Sequence, residues 1–337
     1  MSQWIPHPYF LGAVSRRGRR PWPCALLRSA SLLLAGLVVW LVDAASACGD
    51  ESCSQSGSPS TSTGTRRALI VCGLPGDDDH RKLFAGTVEK VHKALTERYG
   101  FPGSEVLVRF GVEKESGDGP ALAGARGLSN REGIAADVDE MRKRLGPEDT
   151  LWVIVLGHGH YAGRHSYLNI PGPDLDERAF AKLFEGLKAR EQVFIVSTAA
   201  SGFFLKPLAA AGRIVITATE ADQEVNETLF PHALADVLAA PSDGIDRDKD
   251  GKISVFELYL AVVADVMKRY VADENLPTEH AKLDDNGDGH GSELQESYLP
   301  PELGGRAGQK AEPKLGPKDD GALASKTYVE VSPIPKS

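Results

Sequence analysis

Two short stretches of this chain could do covalent chemistry together, and a third could hold a hard cation. Gly157-His158-Gly159-His160 closes one apolar run, and Thr198-Ala199-Ala200-Ser201-Gly202 closes another. A histidine at the end of one run is a candidate general base, and a nucleophile at the end of the other would be its natural partner. What the second stretch offers is the hydroxyl of Ser201 and the methyl groups of Ala199 and Ala200. His158, His160 and His165 are an alternative set, because clustered imidazoles suit zinc. In the third stretch, Asp246, Asp248 and Asp250 alternate and are followed by Gly251, Lys252, Ser254 and Glu257. Ca2+ takes roughly six to eight oxygens at about 2.3–2.6 Å. Three Asp carboxylates, the Lys252 carbonyl, Ser254 directly or through water, and both oxygens of Glu257 would supply them, with Gly251 making the sharp turn.

The elements that must position these residues are legible as apolar patterns. Arg67 to Gly73 predicts a buried strand, and Phe84, Val88, Val91 and Leu95 then recur at helical spacing. Glu105 to Phe110 predicts a second strand, followed by a long Gly-rich loop. Ser129 with Glu132 predicts a capping box ahead of a helix whose apolar face is Ile134, Val138, Met141 and Leu145. Leu151–Leu156, Val193–Ser197 and Arg213–Thr217 read as strands and Phe180–Leu187 as a helix. This alternation implies an α/β fold, a mainly parallel sheet flanked by helices. In such sheets ligands gather beyond the carboxyl ends of the strands, which is where both the His158 and the Ala199 stretches fall.

The chain ends read differently. Arg16, Arg17, Arg19, Arg20 and Arg28 precede an apolar run from Ala30 to Val42, and Ala45-Ser46-Ala47 has the small-x-small form of a cleavage site. The run is too short to span a bilayer, which takes about twenty residues. Residues 1–47 are therefore expected to be a signal peptide and the protein to be exported: periplasmic, secreted, or lipid-anchored at a membrane through Cys48. Losing five basic residues and Asp43 with that segment takes the formal net charge from −9 to −13. So acidic a chain is a poor partner for nucleic acid and compatible with cations. Residues 48–66, rich in Ser, Thr and Gly, are expected to be a flexible linker. Residues 301–337, rich in Pro, Gly and Lys, are expected to be a disordered tail, with an edge strand near Thr327–Val331 as the alternative.

The loop from Asp246 to Glu257 resembles an EF-hand calcium loop at every liganding position, with Phe256, Leu260, Val263 and Met267 as the apolar stripe of an exiting helix and Pro231–Ala239 available as an entering one. A second run, Asp284, Asn286 and Asp288 with Gly289, resembles the first half of such a loop. Its twelfth residue is Gln295, which lacks the charged bidentate carboxylate. An ion site and a polar turn both remain open there, as does pairing of the two loops. The expected EF-hand segment is 241–300.

Residues 67–240 resemble the legumain and caspase peptidases. Those families carry a catalytic His in a His-Gly at one strand end and a nucleophilic Cys after the next strand, within Ala-Cys-Glu-Ser-Gly or Gln-Ala-Cys-Arg-Gly. The resemblance implies a caspase-like order of the sheet, a catalytic role for His158, an oxyanion-hole role for the Gly159 amide, a substrate-pocket role for Arg81, and support of the His by Asp79. It also implies that the nucleophile position is Ala199 on the legumain match, or Ala200 on the caspase match. Neither can form a thiolate. Two rescues would restore chemistry: Ser201 as a displaced nucleophile, giving a calcium-dependent hydrolase, or Cys72 at the end of the first strand. Without them the expectation is a calcium-binding pseudo-peptidase that binds protein or peptide segments.

Overall fold

The computed structural model describes residues 64–112, 121–222, 224–308 and 312–329. The expected signal peptide, Cys48, Cys53, nearly all of the linker and residues 330–337 lie outside these. No helix among the described residues is long and apolar enough to cross a membrane.

Strand β1 (Arg66–Cys72) leads into α1 (Asp78–Glu97), β2 (Val106–Phe110) and β3 (Ala125–Leu128), then α2 (Arg131–Arg144) and β4 (Thr150–Leu156). Next come β5 (Gly159–Ala162), β6 (His165–Leu168), β7 (Leu175–Asp176) and α3 (Glu177–Leu183), and then β8 (Glu191–Val196), α4 (Leu205–Leu208), β9 (Arg213–Thr217) and α5 (Phe230–Ala239). The chain ends with β10 (Ile253–Ser254), α6 (Val255–Ala272), β11 (Lys282–Asp284), α7 (Gln295–Tyr298) and β12 (Tyr328–Val329). Seven strands form one sheet in the order β11-β9-β8-β4-β1-β2-β3. All its pairings are parallel except that of β11, which runs antiparallel to β9.

The central strands are buried on both faces, which is why they read as unbroken apolar runs. Along β1, Ala68, Ile70 and Cys72 join one core with residues of α1, α5 and α6, while Leu69 and Val71 join the other with residues of α2 and α3. Cys72 is fully buried and burial pushes its thiol well up, as for a core residue.

Local details depart from the sequence-based expectations. The cap of α2 is Asn130, whose side chain accepts from Gly133 N–H, while Ser129 is buried beside it. The residues after His158 build a three-stranded antiparallel sheet, β5-β6-β7, that no apolar pattern announced. The expected disordered tail is ordered over 312–329: Asp320 and Ala324 are buried, and β12 pairs with β10. Asp285 holds it there, accepting from the backbone N–H groups of Gly321, Leu323 and Ala324.

Candidate functional site

Parallel pairing aligns the carboxyl ends of the central strands: Cys72 lies beside Leu156, Val155 beside Val196, and Val196 beside Thr217. The turns that follow these residues therefore meet at one edge of the sheet. His158 emerges there partly buried, and its Nε2 is 3.1 Å from the Pro75 carbonyl oxygen. A carbonyl only accepts, so Nε2 carries the hydrogen of this bond, and the Nε2–H tautomer has its lone pair on Nδ1. Pro75 thus does the orienting expected of Asp79, whose side chain is almost fully exposed, 3.8 Å from Lys82 Nζ.

The His158 turn and the Ala199 turn do meet. A Cβ built on Gly159 would fall 2.8 Å from the Ala199 carbonyl oxygen and 3.0 Å from Thr198 Oγ1, so this approach requires glycine. Ala199 and Ala200 are buried, and Ala200 takes a left-handed conformation, φ 52°. That conformation costs an L-residue about 1–2 kcal/mol. The Ala200 N–H bond to the Glu224 carbonyl, 2.9 Å, helps hold it.

Ser201 follows on the same turn. It is fully buried, and its Oγ accepts from Ala218 N–H and Thr219 N–H, both at 3.1 Å, and lies 3.2 Å from Thr219 Oγ1. That hydroxyl ties its turn to the end of β9, while the hydrogen bond of His158 goes to Pro75. Arg81 pairs with Asp78 on the first turn of α1. Beside the turn lies a cleft of about 720 Å³, lined among others by Phe203, Lys206, Arg164 and Glu220. Phe203 stacks on the exposed Tyr161 at a centroid distance of 4.6 Å.

The three histidines read as a metal set are separated by their partners. His160 Nδ1 is 2.6 Å from Asn169 Oδ1, and His165 Nδ1 is 2.8 Å from Glu177 Oε1. His158 instead faces His80 at the start of α1, with ring centroids 4.9 Å apart. His80 lies between Asp77, 2.7 Å from Nδ1, and Glu227, 3.1 Å from Nε2, and hydrogen bonds to these two carboxylates, Asp77 first, raise its pKa. Sequence reasoning missed His80 and Glu227 because only the fold brings them to His158.

In the acidic loop, side-chain oxygens of Asp246, Asp248 and Asp250 lie within 4.8 Å of one another. Asp246 Oδ2 accepts from Gly251 N–H (3.0 Å), Asp248 Oδ1 from Asp250 N–H (3.0 Å), and Asp250 Oδ1 from Lys252 N–H (2.8 Å). Gly251 takes the positive φ, 82°, that this turn demands. Asp246 Oδ1 is buried with no hydrogen-bond partner among the described residues. A buried carboxylate oxygen left bare is costly unless a cation meets it, so the donor set fits an oxygen-seeking metal ion. Glu257 reaches back under the loop: Oε1 accepts from Arg247 N–H (2.8 Å), and Oε2 from Ser254 N–H and Ser254 Oγ (both 2.8 Å). With Ser254 it forms the capping box that starts α6.

The surroundings differ from two paired helix-loop-helix units. Helix α5 stops at Ala239, and Pro241 and a 3-10 turn at Ser242–Gly244 separate it from Asp246. Ile253 pairs with Val329 of the tail, whereas Ser292 bridges back to Leu283 within its own loop, so the two loops do not pair with each other. In that second loop Asp284 is fully buried with both oxygens used, by Gly287 N–H (2.8 Å) and Gly289 N–H (2.7 Å). Gln295 turns away, its Oε1 accepting from Tyr259 Oη at 2.6 Å.

Neither protein-family models nor curated protein sequences match this chain.

Proposed function

We propose that this is an exported calcium-binding protein whose α/β domain, similar to legumain and caspase peptidases, works as a pseudo-peptidase that binds protein or peptide segments. The observation that carries the reading is the meeting of the Gly159 and Ala199 turns beside His158. It is the juxtaposition a base and a nucleophile would need, with a methyl group where the attacking atom belongs. The burial of Ser201 and of Cys72 supports the loss of chemistry, since neither offers a nucleophile at the surface. The cleft beside Phe203 and Tyr161, with basic and acidic groups on its walls, supports recognition of peptide segments. The bare Asp246 oxygen and the alternating carboxylates support calcium at Asp246, Asp248, Asp250, the Lys252 carbonyl, Ser254 and Glu257. An ion held there would brace the start of α6 and the β10–β12 pair.

The test combines peptide turnover with calcium binding. A panel of fluorogenic peptides with Asn, Asp, Arg or Lys before the cut should give no turnover with calcium present, before or after iodoacetamide. Calcium at about 100 times its dissociation constant should raise the unfolding free energy by roughly 2.7 kcal/mol, and Glu257→Gln should remove most of that gain. Turnover lost in Ser201→Ala would establish a serine hydrolase instead, and an unchanged calcium response in Glu257→Gln would refute the ion site.

A further inference from the structure

The strand-end edge brings together three ligand-type side chains that the peptidase resemblance does not use as a set. His80 comes from the first turn of α1, His158 from the turn after β4, and Glu227 from the segment between β9 and α5. A ring nitrogen of each histidine and a carboxylate oxygen of Glu227 all lie within 4.8 Å of one another. Zinc bonds of about 2.0–2.1 Å in a tetrahedron set ligand atoms roughly 3.3–3.4 Å apart. His80 Nε2 stands 3.1 Å from Glu227 Oε2, and the separations to His158 lie within 4.8 Å, so the ligand atoms would close by up to about 1.5 Å to form a coordination shell.

Each imidazole also has a hydrogen-bond partner that fixes its ring. Asp77 Oδ2, 2.7 Å away, takes the hydrogen of His80 Nδ1, and Glu227 Oε2 that of Nε2, so a metal ion entering between Nε2 and Glu227 would displace the Nε2 proton and take its lone pair. The Pro75 carbonyl takes the hydrogen of His158 Nε2, which leaves a lone pair on Nδ1. Metal-bound histidines characteristically donate their other N–H to a carboxylate or a carbonyl, which fixes tautomer and ring orientation. The buried Phe84 ring packs against both, with centroids 5.8 Å from His80 and 5.1 Å from His158.

We infer that His80, His158 and Glu227 form a site for a divalent transition-metal ion of the zinc class, oriented by Asp77 and the Pro75 carbonyl. Two nitrogens and one oxygen suit such an ion and not calcium, so the site is separate from the loop at 246–257 and independent of the calcium reading. Three protein ligands leave one position for water or for an oxygen of a bound peptide.

The experiment titrates the full chain, stripped with chelator, with Co2+ while its visible d–d absorption is recorded, and repeats the titration calorimetrically with Zn2+. One equivalent should bind with a tetrahedral Co2+ spectrum. His80→Ala and His158→Ala should each weaken binding at least tenfold, and Glu227→Gln should alter the spectrum. Asp77→Asn keeps a good helix cap but loses the carboxylate behind His80, and should cost about 10–100-fold in affinity. Circular dichroism checks that each variant is folded, and Glu227→Gln, on a partly exposed side chain, serves if a histidine variant is not. Glu257→Gln should leave Co2+ binding unchanged, so loss of the calcium response alone bears on the loop and not on this site. No saturable binding, or binding indifferent to both histidine variants, would overturn the inference and leave His80 as an imidazolium bridging two carboxylates.

Discussion

The loops at 246–257 and 284–295 share one backbone scaffold. Gly251 N–H donates to Asp246 Oδ2 at 3.0 Å and Gly289 N–H to Asp284 Oδ2 at 2.7 Å. Asp250 N–H donates to Asp248 Oδ1 at 3.0 Å and Asp288 N–H to Asn286 Oδ1 at 2.8 Å. Lys252 N–H and His290 N–H donate to Asp250 Oδ1 and Asp288 Oδ1, both at 2.8 Å. The loops part company in their remaining oxygens. The first keeps a bare buried oxygen on Asp246 and has a glutamate at its twelfth position, while the second uses both oxygens of Asp284 and has a glutamine bonded to Tyr259. Alternating Asp and Asn residues with a glycine thus specify a turn, and an ion at either loop would need oxygens left over after the turn is built. The second loop also clasps the tail through Asp285 and Asp320.

The strongest way to break this contrast is Asp285→Ala. Its carboxylate satisfies three backbone N–H groups of the tail, two at buried residues, and unsatisfied buried groups cost about 1–3 kcal/mol each. A loss of about 3 kcal/mol or more in urea unfolding is expected, with early proteolysis within 312–329. A loss below about 1 kcal/mol would mean that the tail is held elsewhere and the clasp reading is wrong.

A smaller effect comes from pH. Burial raises the Asp320 carboxyl to about 6, with hydrogen bonds from Ser292 Oγ and Asp285 N–H opposing the shift and Asp284 and Asp285 nearby adding to it. An unfolded Asp titrates near 3.9. Between about pH 4 and 6 the unfolded chain gives up this proton more readily than the folded one, so stability falls as pH rises through that window and levels off above it. Asp320→Asn should flatten that slope in denaturant midpoints taken from pH 4 to 7. If calcium flattens it in the parent protein, the second loop binds the ion and the contrast between the loops disappears.

The same contrast marks what was legible in the sequence. Central strands buried on both faces announce themselves as apolar runs, and β1, β4, β8 and β9 appear where the runs are. The β5-β6-β7 sheet and β11 have two to four residues each and mixed exposure, so no period could form, whereas β12 falls where an edge strand near Thr327–Val331 is the alternative reading. The tail docks through the carboxylate of Asp285 and backbone N–H groups, and hydrophobic periodicity carries no trace of such a contact. At the strand-end site His158 and Ala199 were legible from local motifs. The Pro75 carbonyl was not, because a backbone acceptor has no residue type, and Glu227 was not, because its nearness to His158 is a product of the fold.

The smallest effect separates turn from ligand most cleanly. Asp250 Oδ1 and Asp288 Oδ1 each accept one backbone N–H at 2.8 Å, from Lys252 and His290, and both aspartates are exposed. Asp250→Ala and Asp288→Ala therefore remove equivalent hydrogen bonds, and each should cost about 0.5–1.5 kcal/mol in calcium-free buffer. With calcium present the two should diverge. Asp250→Ala also removes a charged oxygen from the proposed ion site, so its calcium affinity and its calcium-induced stabilisation should drop. Asp288→Ala should retain both. Since the hydrogen-bond cost is common to the pair, the difference between their calcium responses isolates the contribution of the ligand. Equal responses, whether both lost or both kept, would mean that the leftover lone pairs do not distinguish the loops and that the ion, if bound, is held by something other than the alternating carboxylates.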